Sequence, residues 1–208
     1  MRKKLSKLEA SVSDAARRFA SVEKRREAIL KDSRDVISLC SRSIVALHSG
    51  DVREAAGQLK DAKARLDGLR KEAEDDLRRY LTPVETEFVE ASCFLALVKG
   101  TVLPSMEDLD VSPSSYALGL LDMVGEAKRK VFDSVRAGKG EEAAKTFDAA
   151  EEVYSILRPL AVYDNIVPGI RRKLDVGRVL LEDIRGLLTE EAGRNRLLES
   201  LRKAQGSV

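Results

Sequence analysis

Leu5, Leu8, Val12, Ala15 and Phe19 recur at helical spacing, and after a highly charged stretch the pattern resumes at Ile29, Val36, Ile37, Cys40, Ile44 and Leu47. No glycine or proline interrupts it before Gly50. The pattern predicts one helix of up to about 44 residues, roughly 65 Å long at 1.5 Å per residue. That is longer than a compact domain of this size needs, so the helix is expected to pack against another subunit as well as its own chain.

Past the His48-Ser49-Gly50 stop, Asp51 with Glu54 three residues on reads as a capping box. It opens a second helix through Ala55, Leu59, Ala62, Leu66 and Leu69 to about Tyr80. Thr82-Pro83-Val84-Glu85 repeats the signal with proline at the first helical position, and the third helix runs to Lys99, where Gly100 ends it. Residues 100–112 read as a loop, and Ser112-Pro113 opens a fourth helix to about Val135. Gly138 and Gly140 turn the chain into a fifth, which Pro159 should kink or end. Pro168-Gly169 starts a sixth, and Thr189-Glu190-Glu191 reads as the cap of a seventh reaching Lys203. With no internal repeat or composition shift, the expectation is an all-α fold: residues 1–208 as a single-domain bundle of six to seven antiparallel helices with a long N-terminal helix.

Composition narrows this further. Aromatics are 4% of the chain and tryptophan is absent, which favours aliphatic helix packing over a sandwich or barrel. Charged residues make up 35% but nearly cancel to +2, so any anionic partner must be recognised by local patches. Cys40 and Cys93 lack CxxC spacing and read as buried thiols of a reducing cytoplasm. The opening MRKKLSKLEASVSD lacks the apolar region of a signal peptide, and no run approaches the roughly 20 apolar residues of a membrane span. A soluble, cytoplasmic protein with no membrane partner is expected. His48 is the sole histidine, so Ser-His-Asp, Cys-His and His-ligated zinc sites cannot be assembled without it, and its expected role is to end a helix.

Asp122 stands out in YALGLLDMVGEAKRK, residues 116–130, where Tyr116, Leu118, Leu120, Leu121, Met123 and Val124 surround it. A carboxylate on a buried face costs several kcal/mol unless it is paired. Glu126 follows at i+4 on the same face. On the preceding helix Val84, Phe88, Ala91, Leu95 and Val98 form a core stripe, and Glu87 and Glu90 lie beside it at i and i+3. Two consecutive helices could thus bring four carboxylates together. Such a group repels itself unless a divalent cation neutralises it. With no histidine nearby, oxygen-only ligation suits Mg²⁺ or Mn²⁺, and the chemistry implied is metal-dependent phosphodiester cleavage. Two other readings fit the same spacing: solvated acidic faces, or an ion pair between Asp122 and the basic run at 128–130, through Arg129 for example. A di-iron carboxylate bundle fits less well, because the Glu-x-x-His motif is missing.

Several segments resemble the translin and translin-associated factor X superfamily. REAILKDSRDVISLCSRSIVALH at 26–48, ETEFVEAS at 85–92, SPSSYALGLLDMVGEAKRK at 112–130 and RRKLDVGRVLLEDIRGLL at 171–188 are similar to its motifs, which cover nearly the whole chain. Within that family, translin binds single-stranded RNA and DNA but has lost the acidic set, whereas translin-associated factor X keeps it and supplies the endoribonuclease activity of a mixed octamer. All four positions are acidic here: Glu87, Glu90, Asp122 and Glu126. The resemblance therefore implies the nuclease-competent type, with these four residues as catalytic and metal-holding groups for Mg²⁺ or Mn²⁺. Phe88 stands where the family often has tyrosine, and the 100–112 loop is short. The single chain suggests a homo-oligomer, expected as a homo-octamer, closed around single-stranded RNA. Arg34, Arg42, Arg78, Arg79, Arg129 and Lys130 are candidate phosphate contacts, although each also reads as an ordinary surface residue. The alternative is a catalytically silent protein that binds single-stranded RNA or DNA.

Overall fold

Helix α1 spans Arg2–His48 in a computed structural model that describes residues 2–73 and 77–205. It turns at Gly50, whose φ of 84° suits glycine, into α2 at Val52–Glu72. Then come a 3₁₀ turn at Arg78–Leu81, α3 at Thr82–Lys99, a one-turn α4 at Met106–Leu109 and α5 at Pro113–Arg136. Helix α6 covers Gly140–Leu157, a second 3₁₀ turn covers Arg158–Tyr163, and α7 covers Ile170–Gln205. No strand occurs among the described residues. Helix α1 packs chiefly on α2 and α3, while α5 is the hub between α3, α6 and α7.

The local signals explain most boundaries. The Asp51 carboxylate accepts from the Glu54 N–H at 2.9 Å, and the Ser112 hydroxyl accepts from the Ser115 N–H at 3.1 Å. Gly100 closes α3 in the left-handed region. Three expectations need correction. Helix α2 ends at Glu72 rather than near Tyr80: the stretch to Tyr80 crosses residues 74–76, outside those described, and buried Leu77 and Leu81 bracket a 3₁₀ turn that redirects the chain. The 100–112 loop contains α4, opened by a reciprocal Ser105–Asp108 capping box. No separate seventh helix starts at Thr189, which lies inside α7 and donates its hydroxyl to the Arg185 carbonyl at 2.7 Å.

The core fixes the register of α3 against α5. A Cβ on Gly119 would lie 2.6 Å from the Thr86 carbonyl oxygen and 2.6 Å from the Val89 Cβ, so the two helices meet there at a distance only glycine permits. Buried Glu85 then ties down the start of α3. Its Oε2 accepts from the Ser115 hydroxyl at 2.7 Å and from the Ser112 N–H at 3.3 Å, while Arg70 of α2 approaches Oε1 at 3.6 Å. Arg70 also donates to the Leu109 carbonyl at 3.0 Å, so one network joins α2, α3, α4 and α5.

The inner half of α1 is buried through Ile29, Val36, Cys40 and Leu47. The outer half is not. Leu5, Leu8, Val12 and Phe19 keep an apolar stripe in solvent, with Phe19 73% exposed, and Leu197, Leu198 and Leu201 do the same on α7.

Candidate functional site

The Gly119 contact lies one turn before Asp122 and beside the α3 segment that carries Glu87 and Glu90. The four carboxylates expected from the sequence therefore act on one another. Burial raises the Glu90 carboxyl to about 8, and the charges of Glu87, Asp122 and Glu126 push the same way. Glu87 is also raised, first by burial and then by Asp122, with Glu126 adding to it. Buried Cys40 of α1 lies within reach of the same field. Its thiol is pushed up to about 12, mainly by burial and further by Glu87 and Glu90.

Two further residues enter the site. Lys173, in the first turn of α7, donates its ammonium to both carboxylate oxygens of Asp122. Its charge opposes the repulsion at Glu87 and Glu90. Asp122 is thus paired, as its apolar surroundings demand, but by α7 rather than by the 128–130 basic run. His48 corrects the expectation that no histidine is near. Its Nε2–H donates to Glu126 Oε2 at 2.6 Å, with the side chain only 5% exposed and the ring 5.0 Å from that of Phe94. His48 Nδ1 makes no hydrogen bond and faces Asp133 Oδ2 at 3.8 Å. His48 still ends α1, as expected, so one residue serves both purposes.

As donors, four carboxylates fit a hard divalent cation. Burial first, and repulsion among the carboxylates second, raise the proton affinity of Glu87 and Glu90, and a bound cation would relieve the repulsive part. In the geometry described, Lys173 and His48 already hold Asp122 and Glu126. Among the described residues no three His, Cys, Asp or Glu groups stand close enough to hold an ion.

The basic candidates divide. Arg34, Arg42, Arg78, Arg79 and Arg129 are exposed, whereas Lys130 is drawn to Glu142 at 2.5 Å and ties α5 to α6. Arg79 and Arg26 each stack on Tyr80 at 5.1 Å, which adds an aromatic platform the sequence reading did not single out. The hydrogen bond from Arg79 leads in holding the Tyr80 phenol below its ordinary value. Arg172 joins Lys173 and Asp122 in lining an open cleft of about 370 Å³ between α5 and α7. No helix among the described residues is long and apolar enough to cross a membrane.

The chain is 29% identical over 190 residues to an uncharacterised protein of Methanocaldococcus jannaschii, covering 90% of this chain and 85% of that one. Its fold is similar to the crystal structure of AfC3PO, with a TM-score of 0.81 at 27% identity over 88% of this chain and 98% of that one. The structure of AfC3PO with duplex RNA matches at a TM-score of 0.80 and 26% identity, covering 88% and 97%. Apo-NeC3PO, at 20% identity and a TM-score of 0.74 over 86% and 96%, shares the fold. The family model for translin matches residues 24–184, which takes in α3, α5 and the first turns of α7 with all four carboxylates, and this chain belongs to the Translin family.

Proposed function

We propose that this protein is a metal-dependent endoribonuclease of the family's nuclease-competent type, acting on single-stranded RNA inside a homo-octameric shell. The observation that carries the reading is the electrostatic coupling of the two carboxylate pairs: Glu90, pushed up to about 8 mainly by burial, also feels the charges of Glu87, Asp122 and Glu126. Glu87, Glu90, Asp122 and Glu126 would hold Mg²⁺ or Mn²⁺, which supplies Lewis acidity toward phosphoryl oxygen and water. His48 keeps Glu126 oriented from behind. Arg34, Arg42, Arg78, Arg79 and Arg129 supply phosphate contacts, and Tyr80 a stacking surface.

AfC3PO, which this chain resembles in fold and sequence, has been solved with duplex RNA, and that supports RNA as the ligand. The bare stripes of α1 and α7 support self-association, since apolar patches of this kind mark interaction surfaces. A second reading is an RNA-binding protein without turnover. It is favoured by the hold of Lys173 and His48 on two of the four carboxylates.

Incubating the protein with labelled single-stranded and duplex RNA in Mg²⁺, Mn²⁺ or EDTA separates the readings. Cleavage of single-stranded RNA that needs the metal, and is lost in Asp122→Ala or Glu126→Ala at unchanged assembly size, is the expected result. Binding without metal-dependent cleavage would establish the second reading.

A further inference from the structure

We infer that Lys173 is a resident counter-ion that competes with the divalent cation for Asp122, so that the site charges with metal only when the lysine lets go. This deepens, and rests on, the metal-dependent reading above. Both oxygens of Asp122 accept from the one ammonium, which leaves the carboxylate with no oxygen free of that charge. A cation arriving at Asp122 meets a like charge in contact with its ligand, and the two do not share the carboxylate without repulsion.

The field of Lys173 reaches beyond its partner. It offsets the mutual repulsion felt at both Glu87 and Glu90, although it bonds to neither. Lys173 therefore neutralises part of the whole set, which is the task a bound cation would take over. Its removal from Asp122 is physically simple. The Lys173 side chain is 35% exposed and borders the open cleft lined by Leu121, Gly125, Gly169 and Arg172. A flexible four-carbon stem can swing there and keep its charge hydrated.

His48 has no such freedom. Its side chain is 5% exposed and packed against Phe94, so it stays on Glu126. The acidic set thus has one fixed partner and one movable partner.

The test is Mn²⁺ binding to the RNA-free protein, read from the electron paramagnetic resonance signal of free Mn²⁺. Wild type is compared with Lys173→Met, which keeps the stem without the charge, and Lys173→Arg, which keeps the charge. Lys173→Gln repeats the neutral arm, so a folding defect in one variant leaves the measurement intact. Both neutral variants should bind Mn²⁺ about tenfold more tightly or better, and Lys173→Arg should stay near wild type. Equal affinity in wild type and the neutral variants, weaker affinity in the neutral variants, or no Mn²⁺ binding in any of them would overturn the inference. Competition for Mn²⁺ without RNA cleavage would sink the nuclease reading and leave this one standing.

Discussion

His48 at the end of α1 and Glu126 in the middle of α5 are joined at 2.6 Å across 78 positions of sequence. The bond places a buried imidazole behind one carboxylate of the site and fixes the orientation of Glu126. Replacing His48 by Ala should cost about 1–3 kcal/mol, the usual penalty for stranding a buried hydrogen-bonding partner. Urea denaturation measures that loss. A positioning role further requires that kcat on RNA fall while KM holds, and that His48→Gln restore part of it. Equal loss in the Ala and Gln variants would reduce His48 to packing.

Glu90 predicts how stability responds to pH. Its carboxyl rises from an ordinary 4.5 to about 8 in the folded chain, so between these values the folded state binds more protons than the unfolded one. The stability this contributes is fully present below about 4.5 and is lost as pH rises through about 8. Glu87 is shifted in the same direction and adds to the trend. In metal-free protein, denaturation midpoints should fall between pH 6 and pH 9, and Glu90→Gln should flatten that dependence. A wild-type midpoint that rises across this range would contradict the assignment.

Gly119→Ala should force α3 and α5 apart, because its Cβ would meet the Thr86 carbonyl oxygen at 2.6 Å, against backbone that cannot yield cheaply. A loss of about 1–3 kcal/mol is expected, as for overpacking in a core. Any metal-dependent cleavage should drop with it, since the two acidic pairs ride on these helices. Gly125→Ala is the control. Its Cβ would find only Leu180, at 3.9 Å, and helix propensity should make it neutral or slightly stabilising on a thermal melt.

Phe19→Glu, in the bare half of α1, should leave helix content unchanged and shrink the assembly measured by light scattering. Leu8→Glu should act in the same direction. Both side chains make no core contact within the chain, so a loss of folding in these variants would argue against an interface role.

The local part of this structure was legible in the sequence. Asp51, Ser112 and Gly100 announce their helix ends because a cap acts on backbone groups within a few residues. The acidic pairs were legible for the same reason, since spacings of three and four define a helix face. The Ser105–Asp108 box was equally local and was passed over inside a segment that looked like plain loop. Thr189 misled in the opposite direction: Thr-Glu-Glu resembles a cap, but without a proline or an extended residue the ladder simply continues. Lys173 and His48 were hidden for another reason. Asp122 and Lys173 are 51 positions apart, and only the packing of α7 on α5 decides which base in a lysine- and arginine-rich chain reaches that carboxylate.

Helix α1 has its uncovered stripe near one end and its grip on Glu126 at the other. From Phe19 to His48 is about 44 Å of unbroken helix at 1.5 Å per residue. No proline or glycine lies between them to act as a joint. Between them the buried stretch from Ile29 to Leu47 clamps the helix in the core. The free arm can therefore be covered while the imidazole stays on Glu126, so the outer surface and the acidic site are insulated from each other along one continuous rod.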